Sequence, residues 1–287
     1  MILDLFDIKN SLIEEFKDSP NLFFLINKLN CLPPQFNINL SIEKIRAIIN
    51  SQGYVCNKII FYDCFPHRNI SLIMQEIHKN FLNKKITYII GKTNVGKSSL
   101  INALLKYNKV DHKLSVSPFP NTTLDLLKVK IEKYTIIDTP GYSNNKNIAN
   151  LLDVDALTII NKNPKFVYKN FSIKDSDQIF FLENLFYIQI NKVDVNPNIC
   201  FYLNSVFKIH RTNLIKKEKI LEKRNELFKF SLPSKYKRKE ENVELDGSKK
   251  YNIFVSGICL ISLKNITSIT IEYPEDIDIY VTENAII

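Results

Sequence analysis

Apolar positions along the chain fall into two regimes. Up to about residue 150, short continuous apolar runs alternate with stretches whose apolar residues recur every three or four positions; beyond it, alternation at period two dominates. ILDLF at 2–6 reads as a short strand, and SLIEEFK from Ser11 as a helix that Pro20 ends. NLFFLINK is apolar without alternation, the mark of a parallel strand buried on both faces. After Pro33-Pro34, SIEKIRAIIN puts Ile42, Ile45, Ile48 and Ile49 on one helical face. KIIFY is another buried strand, NISLIMQEIHKNFL from Asn69 another amphipathic helix, and ITYII from Ile86 a strand that leads into the helix SSLINALLKY. VDHKLSVSPFPNTT has no period; LDLLKVKI and YTIID follow as strands. Strands alternating with helices predict an α/β domain with a mostly parallel sheet over 1–150.

The second regime reads as a mainly β domain over 151–287. LTII, KFVY, QIFFLENLFYIQI and ICFYL are strand-like, and YNIFVSGICLISLKNITSITIEYPEDIDIYV alternates through three or four strands. Residues 211–228, RTNLIKKEKILEKRNELF, read as a basic helix, and 235–250 as a charged linker.

Composition narrows the class. No apolar tract approaches the ~20 residues of a membrane span, and the acidic N-terminus fits neither a signal nor a transit peptide. A cytoplasmic protein without a membrane partner is expected. Five cysteines with no C-x-x-C pair predict buried thiols, and Cys64 with His67 is only half a metal set. A net charge of +9 favours a polyanionic partner, although the Lys, Asn and Ile richness also follows from an AT-rich genome.

The chemistry concentrates at Gly91-Lys92-Thr93-Asn94-Val95-Gly96-Lys97-Ser98, followed by Ser99. A GxxxxGK[ST] stretch between a strand and a helix cradles phosphates on backbone N–H groups at a helix N-terminus. Lys97 would reach the β/γ-phosphates and Ser98 would ligate Mg²⁺. Only six glycines occur in the chain, and two lie here, which argues against an accidental turn. Asp138-Thr139-Pro140-Gly141 closes the YTIID strand, where a DxxG element holds Mg²⁺ through Asp138 and reads the γ-phosphate through the Gly141 N–H. Two stretches compete as the base reader. Asn191-Lys192-Val193-Asp194 has the letters of N-K-x-D but is followed by Asn196-Pro197-Asn198 and another strand, which reads as a hairpin. Asn27-Lys28-Leu29-Asn30 follows a buried strand and precedes a helix and a strand, so it is preferred. The first 90 residues then supply what a Ras-like domain normally places last.

With LDLFD, NKLNCLP, IIGKTNVGKSSLIN, SPFPNTTLD, DTPG, QIFFLENLFYIQ, FKIHRT and FVSG, the chain resembles the circularly permuted ribosome-assembly GTPases, most closely the YqeH family. That resemblance implies a circularly permuted Ras-like P-loop domain and GTP/GDP as ligand. It also implies GTP hydrolysis in maturation of the small (30S) ribosomal subunit, with that subunit and its rRNA as partners and no DNA specificity. By position it implies Asn94 as a K⁺ ligand and Thr123, or else Thr122, as the switch threonine on Mg²⁺. Lys97, Asn94 and Gly141 become the catalytic set. Tyr142 stands where Ras-like enzymes have a water-orienting Gln, so slow intrinsic hydrolysis is expected. Three departures accompany it. The N-terminal Cys-rich zinc module of the family is expected to be absent. Asn30 replaces the N-K-x-D aspartate, and Asp63-Cys64 replaces the Ser-Ala that backs the base. An amide offers one acceptor and an unwanted donor to guanine, so weakened guanine selectivity is expected. The alternatives are a nucleotide-binding RNA or ribosome scaffold with little hydrolysis, and a phosphotransferase, against which the DTPG argues.

Overall fold

Segments whose apolar residues do not alternate become strands: 2–4, 24–26 and 59–61 are buried throughout, while 86–89 leaves Ile86 and Tyr88 exposed. In a computed structural model, which describes residues 1–33, 36–64, 67–80, 86–110, 127–131, 134–163, 165–233, 235–283 and 286–287, they form the sheet of the first of two units. The units are Met1–Asn144 and Asn145–Ile287.

In the first unit β1 (Ile2–Asp4), β2 (Phe24–Asn27) and β3 (Ile59–Phe61) pair in parallel, with α1 (Ile38–Ser51) between β2 and β3. The chain then runs through α2 (Ile70–Asn80), β4 (Ile86–Ile89), α3 (Lys97–Tyr107), β5 (Leu127–Ile131) and β6 (Tyr134–Asp138). β4 is parallel to β6, and β5 antiparallel to it. The Ile2 N–H donates to Ile90 O at 2.8 Å and Ile2 bridges Gly91. This joins the two halves in the order β3-β2-β1-β4-β6-β5. Ile2, Leu25, Ile60 and Ile89 of these strands pack with Ile73 and Ile77 of α2 and Leu100 and Leu104 of α3. Five strands share one direction, so their C-terminal ends open on one edge, where α/β proteins bind ligands. SLIEEFK forms only a 3-10 turn, Glu14–Phe16. ILDLF stops at Asp4, whose Oδ1 accepts the Phe6 N–H at 2.9 Å and turns the chain. VDHKLSVSPFPNTT, with Thr122 and Thr123, lies outside the described residues beyond its first residue, Val110.

The second unit contains α4 (Val154–Lys162), β7 (Phe166–Ser172), β8 (Gln178–Leu182), β9 (Phe186–Asn204) and β10 (Ile209–Asn213). It continues through α5 (Lys217–Glu222), α6 (Arg224–Leu227), β11 (Arg238–Glu244), β12 (Lys250–Val255), β13 (Cys259–Pro274) and β14 (Ile279–Glu283). β9 and β13 pair along their lengths and each serves two layers. One layer runs β10-β8-β9-β13-β11 and the other β7-β9-β13-β12-β14. The switch falls where Asn196 (φ 54°) and Asn265 (φ 55°) take left-handed conformations and the register shifts. Phe180, Ile188, Phe201, Ile253, Ile261 and Ile271 share its core.

Four expectations for this half are corrected. Residues 211–228 are not one basic helix: 209–213 pair with β8, Asn213 caps a 3-10 turn, and Lys223 separates α5 from α6. The charged linker 235–250 contains β11. Its alternate residues form a polar ladder, Arg238 on Glu272, Asn242 with Thr270 and Glu244 with Ser268. LTII is helical in α4 because Asp153 accepts the Ala156 N–H at 2.7 Å, an N-cap. Asn196-Pro197-Asn198 is a bend inside β9 rather than a hairpin turn. Among the described residues no helix is long and apolar enough to cross a membrane, and the five cysteines are buried free thiols.

The turn between β12 and β13 needs glycine. Gly257 has φ 81°, and a Cβ there would meet Asn147 Oδ1 at 1.8 Å, the atom that caps Ala149. Gly257→Ala is expected to destabilise this unit by about 2–3 kcal/mol. Urea unfolding followed by near-ultraviolet circular dichroism checks it; an unchanged midpoint would contradict the strain.

Candidate nucleotide-binding site

The loop from Gly91 to Ser98 connects β4 to α3. Two glycines are there for space and conformation. A Cβ on Gly91 would touch Val95 Cγ2 at 2.8 Å, while Gly96 caps the helix at φ 102° with Asn27 Nδ2 where a Cβ would sit. Asn94 is left-handed (φ 63°) and exposed; Thr93 and Val95 are buried; Lys92 is half-buried, and Ser99 is in the first turn of α3. The Lys97 ammonium lies inside the loop, donating to Gly91 O at 3.1 Å and Lys92 O at 3.0 Å. Burial pushes its pKa down, and Asp138 pulls it back. A phosphate in the loop would add a stronger counter-charge.

β6 delivers Asp138 beside the start of α3, where Ser98 Oγ donates to its Oδ2 at 3.2 Å. Burial raises the Asp138 carboxyl, against the pull of Lys97 and Ser98. Its Oδ1 is enclosed and has no hydrogen-bond partner among the described residues. A hydroxyl and a carboxylate with a spare buried oxygen fit Mg²⁺, which needs few protein ligands; when bound, that ion neutralises phosphate charge. Among the described residues no three His, Cys, Asp or Glu form a metal cluster, and Thr123 lies outside the described residues. Gly141 is packed over the loop, a Cβ there coming within 2.9 Å of Thr93 and 3.1 Å of Lys97 Nζ. The backbone of Tyr142 is a part of the site that sequence reading missed. The Tyr142 carbonyl accepts the Thr93 N–H at 2.8 Å, its N–H donates to Gly91 O at 3.3 Å, and its ring meets Phe16 edge-on.

Asn27, at the end of β2, reaches the same loop. Its Nδ2 donates to Val95 O at 2.9 Å and its Oδ1 accepts the Lys28 N–H at 2.8 Å. Lys28 is left-handed (φ 72°), with its ammonium 2.6 Å from Asp4 Oδ2 and over the Phe6 ring. The Asp4 partnership was the second omission; the LDLFD motif held the acid, but only β1-β2 pairing brings it to Lys28. Asn30 donates its N–H to Asp63 Oδ1 at 2.9 Å. Cys64 is buried and its thiol is pushed up to about 12. Asn27, Lys28, Asn30, Asp63 and Cys64 thus gather at the ends of β2 and β3, and Asn27 joins them to the loop. Asn191-Lys192-Val193-Asp194 instead lies within β9 of the other unit, Asn191 bonded to Thr270.

Residues 4–147, half of the chain, match the family described as RsgA GTPase. The chain belongs to the RsgA GTPase family. Residues 86–220 also match a family described as 50S ribosome-binding GTPase. The chain is 27% identical over 229 residues to the protein YqeH of Bacillus subtilis (strain 168), 77% of this chain and 61% of that one. Over 172 residues it is 32% identical to GTPase Der of Buchnera aphidicola subsp. Acyrthosiphon pisum (strain Tuc7), covering 52% and 37%. Over 71 residues it is 39% identical to the small ribosomal subunit biogenesis GTPase RsgA of Thermotoga petrophila, covering 23% and 24%. The matched stretch falls short of two thirds of each relative's length. The YqeH resemblance carried by the motifs is confirmed.

The Asp63 carboxyl is raised to about 6, first by burial, with the Asn30 N–H and Arg68 opposing. The unfolded value is near 3.9, so the folded chain binds the proton more tightly, and stability falls as pH rises from about 4 to 6 and stays reduced above it. Asp63→Asn is therefore expected to stabilise the nucleotide-free protein by about 2 kcal/mol near pH 7.5, a gain that more than halves by about pH 4.5. Denaturant titration at the two pH values measures it; a gain that grows on acidification would contradict the assigned shift.

Proposed function

We propose that this RsgA-family chain binds and hydrolyses GTP with Mg²⁺ as a factor in ribosome assembly, acting on the small subunit and its rRNA. The observation that carries this is the convergence of Asn27, Lys97, Ser98 and Asp138 on one loop, although Asn27 and Val95 lie 68 residues apart and Ser98 and Asp138 lie 40 apart. The strand order supports a circular permutation of the Ras-like domain, because β1 to β3 carry the base-reading turns yet precede the phosphate-loop strand. The RsgA relative's name supports the small subunit, while one matched family is described by the 50S subunit. Exposed Asn94 at the loop's rim is where K⁺ would supply the positive charge that other GTPases take from an arginine. After the break-up of 211–228, Lys216, Lys219 and Lys223 are its exposed lysines and the residues for rRNA phosphates.

A second reading, a nucleotide-gated scaffold with little turnover, is favoured by Tyr142, which is held to the loop by its backbone and brings no amide to orient water. GTP turnover in K⁺ and in Na⁺, with and without small subunits, tests the two. Hydrolysis is expected to be faster in K⁺, raised by the subunits, and lowered about a hundredfold or more by Lys97→Ala. Equal rates in both salts would remove the role of Asn94. Subunit binding that requires Lys97 without measurable turnover would establish the scaffold instead.

A further inference from the structure

The turn Asn27-Lys28-Leu29-Asn30 lacks a carboxylate, yet the strand end bonded to it carries one, Asp63. Asp63, at the end of β3, is 2% exposed. Its Oδ1 is fixed by the Asn30 N–H, and the Leu29 N–H reaches Tyr62 O at 3.4 Å, so the two strand ends are laced together. Its Oδ2 is enclosed with no hydrogen-bond partner among the described residues. Nearby charges leave that oxygen available: Lys28 is paired with Asp4, and Arg68, whose carbonyl accepts the Asp63 N–H at 3.1 Å, acts on the carboxyl through its charge. A buried acid with an unused acceptor destabilises the fold, which is the pattern of a group retained for a ligand.

We propose that Asp63 supplies the carboxylate of the base pocket from β3, replacing the one missing at Asn30, and so selects a purine whose pairing edge carries two adjacent N–H donors. Guanine has both, N1–H and the 2-amino group. Hypoxanthine lacks the amino group, and xanthine presents a carbonyl there, which an amide at Asn30 acting alone would favour. This inference rests on the nucleotide reading of the site and adds which residue reads the base.

The test is calorimetric titration of the full chain with GDP, IDP and XDP. The parent protein is expected to bind GDP about tenfold or more tighter than either analogue. Asp63→Asn should abolish most of that preference, with the IDP affinity changed less than about threefold. The double variant Asn30→Asp with Asp63→Ser, which returns the acid to the turn, should restore it. Equal GDP and IDP affinities in the parent, a preference for XDP, or an equal loss for all three nucleotides in Asp63→Asn would overturn the proposal. Failure of the parent to bind any of the three would remove the nucleotide reading itself, and this assignment with it.

Discussion

One hydrogen bond organises the first unit: the Asn27 amide on the Val95 carbonyl. A phosphate loop must turn its N–H groups inward, so its carbonyls point outward and need partners of their own. Val95 is buried, and its carbonyl would otherwise be an unsatisfied acceptor costing about 1–3 kcal/mol. Asn27 satisfies it from β2, with β1 lying between β2 and the loop's own strand. The same side chain accepts the Lys28 N–H and sets the left-handed turn that carries Lys28 and Asn30. Loop shape and base-side turn therefore share one anchor, and Gly96 is glycine partly because that anchor occupies the space of a Cβ.

The two halves of the site stand on different physical footings. The phosphate half is built from backbone geometry, a buried lysine and a hydroxyl–carboxylate pair, which the loop spacing specifies almost completely. The base half has exchanged its polar groups: an amide in the turn, a carboxylate on the neighbouring strand end. In the proposed assignment, moving the acid by one strand keeps the charge of the base side while changing which backbone holds it. On the proposed reading, the stability cost of burying Asp63 is a cost of recognition rather than of folding.

Much of this was legible from the order of residues, and the failures share a cause. Gly91 to Ser98 and Asp138 to Gly141 are local motifs whose partners follow from strand ends, so their placement could be read. The Asp63–Asn30 contact spans 33 residues and depends on β2 and β3 being neighbours, which no local pattern states. β11 has almost no apolar residue to signal a strand; its register comes from cross-strand pairs such as Arg238 with Glu272. Residues 211–228 carry helical spacing and basic charge, but β8 claims the first part for its edge and Asn213 starts the helix late. The long strands β9 and β13 hid their continuity behind asparagine turns that serve as bends.

The coupling through Asn27 is tested most directly by titrating Asn27→Ala with GDP and, separately, with inorganic pyrophosphate, which has no base to read. If Asn27 shapes the phosphate loop, both ligands weaken, pyrophosphate by about fivefold or more. Unchanged pyrophosphate binding with a loss confined to GDP would contradict the account, leaving Asn27 a base contact alone.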